Sequence, residues 1–252
     1  MLWPADFSPA APREAILTTW DAFVDELWGD APGAGATLLA ATFPRAYVDA
    51  NRAEDDIDPE LLAAPWPSPL TPTAYTRRGM GLIRRNALPD VPMYDRLLTV
   101  SEVRSRIENY YTVYRRALGE TIAAAHERSG AVWHLSCHSM KSRGNAMNVD
   151  SGAERPDFVV SDRRGATADP AHTRWVADWL SARGFSVKVN DPYLGGDLVR
   201  TFGAPAAGRH SIQVEISRAL YMNEAAFTRG PRFEEVRSLL GSLVADLAAR
   251  VC

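Results

Sequence analysis

The 252 residues carry 28 Lys and Arg against 31 Asp and Glu, a net charge of −3 that gives no support to nucleic acid or an anionic membrane as the main partner. With 46% hydrophobic and 23% charged residues, the chain has the material for one large α/β core. Two cysteines, Cys137 and Cys252, are too few for a disulfide framework or a Cys-rich zinc site. No run is long and apolar enough to span a membrane, and Met1-Leu-Trp-Pro-Ala-Asp-Phe7 lacks the basic and apolar regions of a signal peptide, so a cytoplasmic location is expected.

Residues 1–12 are proline-rich and irregular. From Pro12 the spacing of Ile16, Trp20, Phe23, Val24, Leu27 and Trp28 predicts one amphipathic helix to about Trp28, with Asp21 and Asp25 one turn apart beside its stripe. Gly33-Ala-Gly-Ala36 reads as a turn, and 36–41 as a short apolar segment. In Phe43-Pro-Arg-Ala-Tyr-Val-Asp-Ala-Asn-Arg52, Tyr47 and Val48 suit the end of a strand flanked by Arg45, Asp49 and Arg52. Three such groups around so short a segment point to a ligand, because an arginine fork grips a carboxylate through two parallel hydrogen bonds.

Residues 53–98, with Pro65-Trp-Pro-Ser-Pro69 and Thr76-Arg-Arg-Gly-Met-Gly81, read as a long excursion over the surface. A helix is expected over 99–129, with Ser101 as its N-cap and Gly130 as its stop. Its stripe runs through Val103, Ile107, Tyr110, Tyr111, Tyr114, Leu118 and Ile122. The chain is organised around Ala131-Val-Trp-His-Leu-Ser-Cys-His-Ser139, a strand on which His134, Ser136 and His138 share a face. Open α/β sheets place their chemistry at the carboxyl ends of such strands.

A second strand is expected in 155–162, a helix from Asp169 stopped by Gly184, and a third strand in 185–189. Gly195 and Gly196 then permit a tight turn or close approach to a ligand. A fourth strand, 210–218, sets Ile212, Val214 and Ile216 on one face and Ser211, Gln213, Glu215 and Ser217 on the other. Glu215 costs several kcal/mol if buried, charged and unpartnered, so either that face is solvated or Glu215 has a task. Residues 233–251 form a closing amphipathic helix. Strands alternating with helices predict α/β with a mixed, largely parallel sheet, and a single domain over 1–252.

The ordered motifs Phe43 to Arg52, Cys137-His-Ser-Met140, Arg155-Pro-Asp157, Asn190-Asp-Pro-Tyr-Leu-Gly-Gly196 and Gly208 to Met222 resemble the N-formylglutamate amidohydrolase family. The resemblance implies a mixed sheet flanked by helices, similar to zinc carboxypeptidases and aspartoacylase. It also implies a zinc-dependent hydrolase of a small N-acyl acidic amino acid, in amino-acid degradation such as histidine catabolism. By the same resemblance His138 and Asp21 are metal ligands, the latter from Asp21-Ala-Phe-Val-Asp-Glu-Leu-Trp28. Glu215 is the general base, Arg45 stabilises the oxyanion, and Asn51, Arg52, Arg218 and, more weakly, Arg200 hold substrate carboxylates.

Two departures bear on this. The family's Pro-His-Ser-Gly strand, with a further ligand histidine, has no match ahead of Trp3-Pro-Ala-Asp-Phe7, and Ser136 stands where the family commonly has aspartate. Either the start is misplaced or the zinc site is incomplete, and retention of His138, Glu215 and Arg52 favours the first. If residues 1–252 are the whole protein, a sheet edge or a slot beside the His138 strand is expected to be open. The alternative is a metal-free, non-catalytic carboxylate-binding protein on the same fold. A thiol nucleophile, Cys137 with a histidine, is disfavoured, because strand alternation turns Cys137 away from His138.

Overall fold

The computed structural model describes residues 2–251, and in it the helix expected to run to Trp28 is two short helices, α1 (Arg13–Leu17) and α2 (Val24–Leu27). Thr18 and Thr19 turn their hydroxyls back onto the carbonyls of Ala15 and Ile16, at 2.7 and 2.8 Å, which competes with helix continuation. Phe23 takes a left-handed φ of 61°. Asp21 therefore sits in a non-helical link. Cys252 lies outside the described residues. Among the described residues no helix is long and apolar enough to cross a membrane.

The chain divides into two compact units. The first takes Met1–Trp20, Ala41–Glu120 and Asn145–Asn148. Here 53–98 is a surface excursion only in part: 63–75 are largely exposed, but Ile57, Leu82, Ile83, Met93 and Leu98 are fully buried in this unit's core. Each such side chain contributes about 1.5–3 kcal/mol, enough to draw an irregular chain inward. Asp56 accepts from the Thr73 amide at 2.8 Å and from the Thr76 hydroxyl, satisfying backbone that regular structure would otherwise pair. Regular structure in this stretch is limited to two 3-10 turns, Pro59–Leu61 and Thr76–Arg78, and a small hairpin of strands β1 (Asn86–Leu88) and β2 (Val91–Pro92). Tyr47 and Val48, expected at a strand end, lie instead in a buried turn, while Arg106 is buried beneath Tyr47 with its guanidinium 4.4 Å from that ring.

The long helix is also interrupted. α3 (Val100–Arg106) is capped by Thr99, not Ser101: the Thr99 hydroxyl and the Glu102 carboxylate bond reciprocally to each other's backbone amides. A π-helical turn, Ile107–Tyr111, joins α3 to α4 (Thr112–Ser129), and Gly130 with φ 69° ends it as expected.

The second unit holds Asp21–Ala40, Thr121–Gly144 and Val149–Cys252. The segment 36–41 has no regular structure, and Leu38 is exposed. Strands β3 (Val132–Met140), β4 (Phe158–Ser161), β5 (Val187–Val189) and β6 (Arg209–Ser217) form one sheet in the order β3-β6-β4-β5. β3 with β6 and β4 with β5 are parallel, and β4 with β6 is antiparallel, so the sheet is mixed and largely parallel. Among the described residues β3 is hydrogen-bonded to a neighbouring strand on one side only.

Helix α5 (Pro170–Ser181), capped by Asp169, packs on β4 and β5. α6 (Asp197–Phe202), not anticipated from sequence, packs on β6 and β3. α7 (Phe233–Val251) packs on α2. A short antiparallel pair, β7 (Met222–Asn223) and β8 (Thr228–Arg229), precedes α7. Burial of Phe158, Val159 and Val160 together shows that β4 is covered on both faces.

Candidate active site

In the second unit, β3 and β6 run parallel with His138 opposite Glu215. Register partners on neighbouring strands share a face, so imidazole and carboxylate stand side by side. The polar face of β6 is not solvated: Ser211, Gln213, Glu215 and Ser217 are all buried, Glu215 at 7% exposure. That removes one of the two explanations for Glu215.

The Glu215 carboxylate is oriented from its own strand. Gln213 donates from Nε2 to Glu215 Oε1 at 2.8 Å, and the Gln213 carbonyl oxygen accepts from the Gly196 amide at 2.8 Å. Fixing both ends of the Gln213 amide fixes which end faces Glu215. The Gly195-Gly196 loop is thus a positioning device. Gly195 has φ 98°, and a Cβ there would lie 2.7 Å from Val199.

The break between α1 and α2 delivers Asp21 to the end of β3. Asp21 Oδ2 lies 3.1 Å from His138 Nδ1, while Oδ1 accepts from the Ser139 amide at 3.1 Å and the Ser139 hydroxyl at 3.2 Å. Arg218 donates from Nε to Ser139 Oγ at 3.1 Å, with Nη2 3.9 Å from Asp21. His138 Nε2 lies 3.2 Å from Ser136 Oγ. The four residues 21, 138, 139 and 218 form one connected network, and Arg218 is tied to it. Ser139 and Gln213 are the members sequence reasoning did not single out. The signals were present: a serine directly after His138, and a glutamine on the buried polar face of β6.

His134 sits farther down β3, with Nδ1 2.7 Å from Ser211 Oγ. Desolvation, with the nearby charge of His138, pushes its pKa down to about 4. The unfolded chain therefore binds an extra proton between about pH 6.5 and 4, so this contribution is complete above pH 6.5 and is lost as pH falls toward 4. We expect urea melts to show stability dropping by up to about 3 kcal/mol across that window. His134→Gln should flatten part of the slope, leaving the share of His172 and His210, whose pKa values burial also lowers. Cys137 faces away from His138; loss of hydration pushes its thiol far above the usual cysteine range, which leaves no thiolate for nucleophilic attack.

The first unit gathers Arg45, Asn51 and Arg52 around Asp49, which is 2% exposed. Asp49 accepts from Arg45 Nε at 2.8 Å and from the Asn51 amide at 3.0 Å, and Arg52 Nε lies 3.8 Å away. Burial raises the Asp49 pKa, but the charges of Arg45, Arg52 and Arg84 outweigh it and hold the carboxyl below its ordinary value. Asp49 is the hub of this group. Arg200 is placed elsewhere, half-exposed on α6 and donating to Asp197 at 2.9 Å.

Among the described residues no group of three or more His, Cys, Asp or Glu converges as a metal site. A catalytic zinc takes three protein ligands and a water. Asp21 and His138 supply two, so the residues present do not complete that set.

A family model described as N-formylglutamate amidohydrolase matches residues 1–222. The N-formylglutamate deformylase of Pseudomonas aeruginosa is 29% identical, over 98% of this chain and 88% of that protein. That of Pseudomonas putida is 28% identical, over 82% and 72%. Among solved structures, N-formylglutamate amidohydrolase from Ralstonia eutropha superposes with a TM-score of 0.94 at 44% identity, covering all of this chain and 90% of that one. A gene product of Agrobacterium tumefaciens shares the fold, with a TM-score of 0.60 at 17% identity over 92% and 80%.

Proposed function

The chain belongs to the N-formylglutamate amidohydrolase family, and on that premise we propose that it hydrolyses the amide of N-formyl-L-glutamate or a related N-acyl acidic amino acid. The observation that carries the reading is Glu215, a buried carboxylate aligned by Gln213 beside His138. Glu215 takes a proton from the attacking water as it adds to the formyl carbon, then delivers it to the amide nitrogen as the C–N bond breaks. The products are formate and glutamate. Arg45 is assigned the oxyanion of the tetrahedral intermediate, and Asn51, Arg52 and Arg218 the substrate carboxylates, because forked donors match them.

Zinc dependence is part of the proposal. Asp21 and His138 are the residues that would hold the ion, and zinc, when bound, lowers the pKa of its water to about 7. With the donor set one short, no step is routed through it. The same shortfall favours a second reading, a non-catalytic protein that binds an acidic ligand through its arginines.

One experiment separates these readings: formate release from N-formyl-L-glutamate, with elemental analysis of the same sample before and after adding zinc. We expect formate release, and any zinc uptake to be abolished in His138→Ala and Asp21→Ala. No uptake by the intact chain would overturn the metal assignment. Glutamate binding without formate release would select the second reading.

A further inference from the structure

Arg52 binds a carboxylate well only if its fork is aimed, since a planar bidentate donor loses one of its two bonds when it rotates. Its own side chain has little to aim it. Arg52 Nε makes no hydrogen bond, and the Asp49 carboxylate 3.8 Å away is engaged by Arg45 and the Asn51 amide.

Two other contacts do the aiming. The Tyr75 ring lies under the guanidinium, with Cζ 4.2 Å from its centroid, close enough for a cation–π contact that also keeps the guanidinium on one face of the ring. The backbone beneath Arg52 is tied to one helix. Tyr111 donates its hydroxyl to the Arg52 carbonyl at 3.0 Å, and Arg115 Nη1 donates to the Ala50 carbonyl at 3.2 Å. Both carbonyls belong to a turn rather than a strand or helix, so these side chains replace a backbone ladder.

Tyr111 and Arg115 are one turn apart and share a face of the helix. The π turn Ile107–Tyr111 explains how Tyr111 comes to point there. A π turn holds one more residue than an α turn, so everything after it is rotated about the axis. Tyr110 thereby packs its ring against Tyr47 at 5.1 Å, while the next residue reaches the Arg52 turn. An uninterrupted helix from Thr99 would aim Tyr111 and Arg115 elsewhere.

We propose that Tyr75, Tyr111 and Arg115 are positioning residues that aim Arg52 and thereby set the chain's affinity for the carboxylate of an acidic ligand. The proposal rests on the functional reading above for the identity of that ligand, and not for the aiming itself.

The test compares Tyr75→Phe, Tyr75→Leu and Tyr111→Phe by kinetics on N-formyl-L-glutamate, by calorimetry with L-glutamate, and by the NMR resonance of Arg52 Hε, assigned with Arg52→Lys. Tyr75→Phe keeps the ring face and should stay within about twofold of the parent chain in every readout. Tyr75→Leu and Tyr111→Phe should each raise KM and the glutamate Kd about fivefold, the size of a partly desolvated cation–π contact for the first and of one hydrogen bond for the second, with kcat within about twofold. KM and Kd unmoved in both would overturn the proposal, as would a fall in kcat matching the rise in KM, because a merely structural role degrades both. If the parent chain neither hydrolyses the substrate nor binds glutamate, the functional reading fails and the Hε resonance still decides the aiming. With the guanidinium over the Tyr75 ring face, Hε is expected upfield of its ordinary position. Tyr111→Phe should move it back toward its ordinary position, and an unmoved resonance overturns the proposal.

Discussion

Glu215→Gln should lower kcat for N-formyl-L-glutamate hydrolysis by about 10²–10⁴-fold, the range that general acid–base catalysis supplies. The amide keeps the shape of the carboxylate and still accepts from Gln213 Nε2, so β6 has no packing reason to change. What is lost is the ability to take a proton from water. KM should move little, since substrate carboxylates are assigned to arginines and not to this residue. Stability should hold or rise, because a buried charge is replaced by a neutral group. A variant retaining a tenth or more of the parent kcat would remove Glu215 from the reaction. A variant that fails to fold would show that Glu215 is needed for the sheet. Circular dichroism and the melting temperature distinguish the two cases.

Asp49→Ala should destabilise the first unit by about 3 kcal/mol, the lower end of what breaking a buried ion pair costs, since both arginine partners reach some water. The substitution removes the acceptor of Arg45 Nε and of the Asn51 amide, and a negative charge 3.8 Å from Arg52 Nε. Affinity for glutamate should fall with it. The effect carries its own pH signature. Surrounding arginines depress the Asp49 pKa below 3.8, so its stabilisation is fully present above that pH and is lost as pH falls through the folded-state value. Urea melts should therefore show a gap between parent and Asp49→Ala that is constant from pH 7 to 5 and narrows below pH 4. A gap that persists unchanged into strong acid would mean Asp49 acts through packing rather than charge. Asp49→Asn, which still offers an acceptor to the Asn51 amide, should lose less.

How far each element was legible depends on whether its cause is local. Strands β3, β4, β5 and β6 were readable because apolar alternation or continuous apolar runs, ended by glycine and polar loops, leave few other options. The same holds for α5, which carries its Asp169 cap, and for α7. The helix expected to run to Trp28 failed because periodicity reports only which residues want burial. The hydroxyls of Thr18 and Thr19 and the positive φ of Phe23 break it without disturbing the stripe. Residues 53–98 were misread in part, for a related reason. Prolines and charges suggest a surface loop, yet Ile57, Leu82, Ile83 and Met93 fall between the turns and bury together.

For the candidate site, the residue order alone carried the chemical inventory. It supplied a histidine and two serines at the end of a strand, a glutamate on the polar face of another, and an arginine-rich turn around Asp49, and its ordered motifs pointed to the family. The pairings came from the folded chain. Register set His138 beside Glu215, a broken helix brought Asp21 to His138 and Ser139, and the π turn aimed Tyr111 at the Arg52 carbonyl. Each pairing joins residues distant in the chain, from 59 positions for Tyr111 and Arg52 to 118 for Asp21 and Ser139. Local propensity acts over a few residues and cannot encode such contacts, so strand register and helix phase, set by packing of the whole unit, had to supply them.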